Sequence, residues 1–171
     1  LTYIHSFGMV FRDLKPDNIG IAVDGTIKLF DFGLCRDIHD LIKRRRYDPL
    51  YRMSSVGTRR YMSPEVISGY CYSQKTDVYS WSMMFFEILS LQKPYAKYNR
   101  SLHKILVCEN KGRPYPSMDI PWNSRNLLKR GWAQNSFDRP TIKEIYDELC
   151  PMIETVEQQV LPINERSLRA V

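Results

Sequence analysis

The sequence predicts an α+β domain that is mainly α-helical, with a small β-hairpin and a long basic loop ahead of a helical body. Three observations carry this. Residues 19–23 and 26–30 are rich in β-branched and aromatic side chains and flank Asp24-Gly25, a pair suited to a tight hairpin turn through positive φ angles. Residues 31–65 are irregular, polar and basic, and a loop of that length inside a compact domain is usually functional. Residues 75–91 are apolar nearly all round (Val78, Trp81, Met83, Met84, Phe85, Phe86, Ile88, Leu89), the pattern of a helix buried on every side.

The remaining elements follow in order. Weaker amphipathic helices are expected at about 101–110, 123–133 and 141–153, separated by Pro/Gly-containing segments at 112–121 and 136–140. The polar end from about Pro162 reads as frayed. No internal repeat or low-complexity segment interrupts the chain.

At 171 residues and 43% hydrophobic content the chain suits one domain with a proper core. It opens on Leu1 instead of Met and reads as a fragment of a longer product. The net charge of +6 is concentrated. Between residues 36 and 60 eight Lys/Arg (Arg36, Lys43, Arg44, Arg45, Arg46, Arg52, Arg59, Arg60) face three Asp (Asp37, Asp40, Asp48), leaving +5 in one loop. Nucleic-acid binding is not expected, because the run lacks the aromatic interleaving of a single-strand binder. The four cysteines (Cys35, Cys71, Cys108, Cys150) are far apart and form no CxxC. They read as reduced, mostly buried thiols of an intracellular, cytoplasmic protein, with neither a zinc site nor a disulfide framework. No signal peptide is visible, and the longest apolar stretch, about 81–91, is far shorter than the ~20 residues of a membrane span.

The chemistry-bearing residues lie in the first 65 positions. Arg12-Asp13-Leu14-Lys15-Pro16-Asp17-Asn18 sets an acid, a cation and an amide just before the hairpin, and Asp31-Phe32-Gly33 sets a second carboxylate just after it. The hairpin returns the chain, so Asn18 and Asp31 are expected at one edge of the ribbon. An amide oxygen and a carboxylate suit Mg²⁺, which prefers hard oxygen ligands shared with substrate phosphates. Asp13 would lie beside that metal to accept a hydroxyl proton, with Lys15 near enough to neutralise a phosphoryl group. Singly these pieces are weak: an Arg-Asp pair is more often a surface ion pair. Spacings of five residues (Asp13 to Asn18) and thirteen (Asn18 to Asp31) give them weight.

Tyr3-Ile4-His5-Ser6-x-Gly8 leading into Phe11-Arg12-Asp13-Leu14-Lys15-Pro16-x-Asn18-Ile19 resembles the catalytic loop of eukaryotic protein kinases, and Asp31-Phe32-Gly33 resembles their magnesium-binding motif. Gly57-Thr58-Arg59-Arg60-Tyr61-Met62-Ser63-Pro64-Glu65 is similar to the end of a kinase activation segment. Asp77-Val78-Tyr79-Ser80-Trp81-Ser82 resembles the start of the buried central helix, and Asp138-Arg139-Pro140-Thr141 the loop whose arginine pairs with the Pro-Glu glutamate, here Glu65.

The resemblance implies a protein-kinase-like C-lobe over residues 1–155, with an activation segment at about 31–65 and a C-terminal tail at 156–171. It implies ATP and Mg²⁺ as cofactors, Asp13 as catalytic base, Lys15 on the γ-phosphate, Asn18 and Asp31 as metal ligands, and Thr58 bonding near Asp13 and Lys15. Lys15 two residues after Asp13, with Gly57-Thr58, resembles serine/threonine kinases, and residues 77–91 and 128–141 lean toward their tyrosine-kinase-like group. Protein substrates are implied, and an upstream activating kinase. Arginine before the catalytic aspartate, here Arg12, often receives a phosphorylated activation-loop residue. Ser54 is the first candidate, then Ser55 and Thr58, since a phosphate of about −1.5 to −2 charge can order a basic loop. An unregulated basic loop selecting acidic substrates is the plainer alternative.

Three positions depart from the family pattern. Phe11 replaces the usual histidine, keeping the packing on Phe32 but not its hydrogen bond. Ser63 replaces alanine and Ser82 a glycine or alanine. No glycine-rich phosphate loop, Val-Ala-x-Lys strand, partner glutamate helix or hinge occurs in the 171 residues, so the expectation is a C-lobe with the N-lobe absent. Such a chain would expose apolar surface and alone show negligible ATP binding and phosphotransfer. The competing reading is a catalytically inactive, truncated kinase lobe serving as a scaffold or regulatory binding module.

Overall fold

The structure, a computed structural model, describes residues 1–38, 56–71 and 73–153. Helix α1 (Thr2–Ser6) leads into strand β1 (Met9–Val10), and a 3₁₀ turn at Pro16–Asn18 opens the hairpin of β2 (Ile19–Ile21) and β3 (Ile27–Leu29). A second 3₁₀ turn, Phe32–Leu34, is followed by β4 (Arg36–Asp37), which returns antiparallel to β1 with Met9 opposite Asp37 and Val10 opposite Arg36. That pairing went unforeseen, because two-residue strands are too short to show alternation. The hairpin is antiparallel with Ile19 opposite Leu29. Its turn differs from the expected pair of positive φ angles: only Gly25 is left-handed (φ 81°). Gly25 N–H donates to Ala22 O and Ala22 N–H to Thr26 O, each at 2.9 Å. This is a three-residue loop closed by a glycine bulge.

The body is helical, as expected. Short α2 (Pro64–Ile67) precedes long α3 (Lys75–Ser90), which ends where Leu91 turns left-handed (φ 55°). Helix α4 (Arg100–Lys104) runs into a π-helical turn, Ile105–Glu109; α5 spans Trp122–Gly131, and residues 142–153 form α6. Helix α3 is the hub. Tyr79, Met83 and Phe86 pack with Tyr95, Val107, Leu128 and Trp132, while Val78 packs with Leu127, Ile142 and Ile145. Gly131 lets α5 approach α3, since a Cβ there would collide with Ser82 Oγ.

Two expectations need correction. Helix α3 is not buried on every side: Ile88 is exposed and Trp81 half-buried, because both border an apolar groove of about 740 Å³ shared with Leu1, Ile4 and Ile145. The four cysteines are free thiols but half-buried, not buried, since they sit at the margins of the packed clusters. Ser54, Ser55 and the frayed end lie outside the described residues. Among the described residues no helix is long and apolar enough to cross a membrane.

Candidate active site

The loop of residues 11–18 hangs from one buried carboxylate. Asp77, at the start of α3 and 0% exposed, accepts from Phe11 N–H (2.7 Å, Oδ2) and Arg12 N–H (2.8 Å, Oδ1), and His5 Nε2 lies 2.8 Å from Oδ2. These bonds hold Arg12 at φ 72°, a conformation non-glycine residues seldom adopt. Phe11 beside it is fully buried and meets Phe32 edge to face, with ring centroids 5.3 Å apart. The apolar replacement therefore keeps its packing, and its backbone N–H is still satisfied by Asp77.

Asp13 is enclosed by donors. Its Oδ1 accepts from Thr58 N–H (2.7 Å) and Thr58 Oγ1–H (2.8 Å), and its Oδ2 accepts from Lys15 Nζ (2.7 Å) and Asn18 Nδ2 (3.1 Å). Lys15 Nζ also donates to Thr58 Oγ1 (2.9 Å). Burial alone pushes the Asp13 carboxyl up, but the bonds from Lys15 and Thr58 together outweigh it and hold the acid below its ordinary range. Gly57 makes the approach of Thr58 possible. Its φ is 116°, and a Cβ there would sit 2.5 Å from the Arg12 carbonyl oxygen.

The hairpin register brings Asn18 and Asp31 to one edge, as expected: Phe30 N–H donates to Asn18 O at 2.9 Å, which leaves Asp31 as the next residue. Asn18 spends its amide nitrogen on Asp13 O (2.8 Å) and Oδ2, so its side-chain oxygen has no protein donor among the described residues. Asp31 is exposed and left-handed (φ 56°), with Oδ1 accepting from Gly33 N–H (3.2 Å). A free amide oxygen beside an exposed carboxylate fits a hard cation. Among the described residues no group of three or more His, Cys, Asp or Glu gathers to hold a metal. A cation here would take its other oxygens from water or substrate phosphates, as Mg²⁺ commonly does.

The long-range pairing of Glu65 is also present. Arg139, 1% exposed, meets it in a fork, NH1 to Oε1 at 2.7 Å and NH2 to Oε2 at 2.8 Å, and lies 5.1 Å from the centre of the Tyr79 ring. Burial pushes the Glu65 carboxyl up, but Arg139 more than reverses this and the net shift is down. His5 and the supporting role of Asp77 were missed as site residues. The only local sign was a lone carboxylate at the head of an apolar helix.

The model of the family described as protein kinase domain matches residues 1–149. The chain belongs to the protein kinase domain family. It is 34% identical over 156 residues to a probable LIM domain-containing serine/threonine-protein kinase of Dictyostelium discoideum, covering 91% of this chain and 23% of that protein. A probable serine/threonine-protein kinase of the same organism is 35% identical over 147 residues, 85% of this chain and 10% of the relative. Human mitogen-activated protein kinase kinase kinase 7 is 30% identical over 150 residues, 85% of this chain and 23% of the relative. The chain thus spans less than a quarter of the length of these relatives.

Proposed function

We propose that this kinase-family chain supplies the hydroxyl-acceptor and metal-binding side of a site that transfers the γ-phosphoryl group of ATP to Ser or Thr of protein substrates. The observation that carries the reading is the Asp13 carboxylate, held on both oxygens by Thr58, Lys15 and Asn18 at the edge where Asp31 also lies. Asp13 orients the substrate hydroxyl and takes its proton as the oxygen–phosphorus bond forms and the bond to the departing ADP breaks. A depressed carboxyl is a poor base in the ground state, which suits phosphoryl transfer, where positioning and charge stabilisation dominate. Lys15 turns from Asp13 toward the transferring group and neutralises its charge. Thr58 keeps the carboxylate aimed. Asn18 and Asp31 would hold Mg²⁺, which when bound would supply positive charge against the phosphates.

The same reading makes residues 1–155 a C-lobe with its activation segment at about 31–65 and a tail at 156–171, and places it in the tyrosine-kinase-like group. The exposed Ile21, Val23, Ile27 and Phe30 on the hairpin support an apolar face for an N-lobe. A phosphate on Ser54 or Ser55, added by an upstream kinase, would engage Arg12, whose Nε now donates to Leu34 O at 2.5 Å. Unchanged rates in Ser54→Ala and Ser55→Ala, with no phosphate found by mass spectrometry, would count against that regulation.

The test is phosphate transfer from radiolabelled ATP to serine-containing peptides by the full-length protein. Asp13→Ala should lower kcat by at least about 10²-fold with the fold intact by circular dichroism. Equal rates in Asp13→Ala and wild type would refute the assignment, and no transfer by the wild type would leave the scaffold reading.

A further inference from the structure

Helix α4 and the turn after it have two unlike sides. The inner side carries His103 and Val107, both buried. The outer side carries Leu102 and Ile105, three residues apart and so neighbours on the helix surface, each about half exposed. Asn99 Oδ1 accepts from Leu102 N–H (2.9 Å) and fixes where the helix begins. Tyr98, four residues before Leu102, is also about half exposed, and Leu91, at the left-handed end of α3, is 90% exposed. Five non-glycine residues of the described chain are left-handed, and three of them, Leu91, Tyr95 and Lys111, fall in this segment. Strained backbone of this kind concentrates where a local shape is used.

The same segment is basic. Lys93, Lys97, Arg100, Lys104 and Lys111 are exposed beside one exposed acid, Glu109, which leaves +4 over residues 91–111. Among the described residues none of the five cations joins a salt bridge. Behind this face, Tyr98 and Arg100 share a cavity of about 450 Å³ with Arg59, Arg60 and His103, and no Asp or Glu lines it. Arg59 NH2 donates to Arg100 O (2.8 Å) and Arg60 NH1 to Pro94 O (2.6 Å), so backbone carbonyls hold both guanidiniums without neutralising them.

Protruding apolar side chains set among unpaired cations are complementary to an anionic bilayer. The apolar groups enter the boundary of the acyl chains while the cations meet the headgroups, and clusters of about four to eight Lys/Arg are typical of such surfaces. Composition separates this occupant from two others. Protein–protein interfaces are depleted in Lys, whereas four of the five exposed cations here are Lys. A nucleic acid would engage the cations but leave Leu102 and Ile105 in water. We propose that residues 91–111 are a docking face for a bilayer bearing anionic lipid, with Leu102 and Ile105 inserted and Lys97 and Lys104 at the headgroups. Lysine suits the second task, since its stem lies along apolar surface while its ammonium stays in water. A helix this short buries little apolar area, so charge and insertion are both required. Among the described residues no helix can cross a membrane, and the attachment is peripheral. The proposal holds with or without the kinase reading.

The experiment is co-sedimentation of the full-length protein with vesicles of phosphatidylcholine, alone or mixed with phosphatidylserine, at low and high salt. The wild type is compared with Lys97→Ser/Lys104→Ser and with Leu102→Ser/Ile105→Ser. All four positions are exposed, so the packing is left undisturbed, and circular dichroism checks this. The wild type should bind the mixed vesicles at least about tenfold more tightly than the neutral ones, and less tightly as salt rises. The lysine variant should lose about 25-fold, about fivefold for each cation, and the apolar variant at least about fivefold. Equal binding of the wild type to both vesicles overturns the proposal, even if one variant fails to fold. Binding that survives both substitutions also overturns it, because another part of the protein is then the anchor. Loss in the lysine variant alone means attraction without insertion and overturns the docking face. An acidic amphipathic peptide and a DNA duplex probe the rival occupants by fluorescence anisotropy. Capture of either that depends on Lys97 and Lys104, with no binding to vesicles, overturns the lipid assignment.

Discussion

Among the described residues, the Asp13 carboxylate has a cation beside it, whereas Arg59, Arg60 and Arg100 join no salt bridge. The two regions are neighbours in sequence through Gly57 and Thr58, yet they solve opposite problems. The Asp13 carboxylate has donors on both oxygens that fix its orientation, as its proposed meeting with a substrate hydroxyl in one geometry requires. The arginine cavity keeps two of its guanidiniums positioned by backbone carbonyls, with no carboxylate partner among the described residues.

The comparison can be broken first at the most deeply satisfied pair. Arg139→Met strands Glu65 in the interior and should cost about 3–5 kcal/mol in urea or thermal unfolding. The pH dependence has a definite sign. The Glu65 carboxyl is depressed in the folded state, so its contribution is fully present above the ordinary carboxylate range and is lost as pH falls through the lower folded value. Stability should fall in acid, and Glu65→Gln should flatten that fall. An unchanged acid profile in that variant would contradict the assignment.

A smaller effect is expected at the hinge between the regions. Gly57→Ala places a methyl group against the Arg12 carbonyl at φ 116°. It should cost about 1–3 kcal/mol and lower kcat more than KM, because Thr58 is displaced from Asp13. A variant with wild-type kinetics would mean that Thr58 does not depend on that approach. The gentlest probe is the His103 ring by NMR. Burial, and then the charges of Arg59 and Arg60, should keep the ring neutral, with no titration between pH 5.5 and 8. A midpoint near the ordinary histidine value of about 6.5 would show that the ring is neither buried nor faced by those charges as described.

Much of the candidate site could be read locally. Asp13, Lys15 and Asn18 lie within six residues, and a hairpin of known register carries the chain back to Asp31, so short-range geometry predicts their meeting. The helices were legible for a similar reason: a run as long and apolar as Val78 to Leu89 favours a helix with most of its faces in a core, although Ile88 stays exposed. The β1–β4 pairing was not legible, since two-residue strands have no periodicity. Nor was the grip of Asp77 on His5, Phe11 and Arg12. That carboxylate is 65 to 72 residues from its partners, and nothing in its own surroundings says which backbone N–H groups it will satisfy.

The amino-acid order therefore decided the element types, the hairpin and the identity of the acid, the amide and the cation at the site. Those depend on contacts within a few residues, where chain geometry leaves few choices. Folding in three dimensions decided how tightly Asp13 is held, that Glu65 finds Arg139, and that Arg100 and His103 join Arg59 and Arg60 about one cavity. Hydrogen bonding and Coulomb energy depend on distance and burial, and between residues 40 to 75 positions apart only the packed structure sets either.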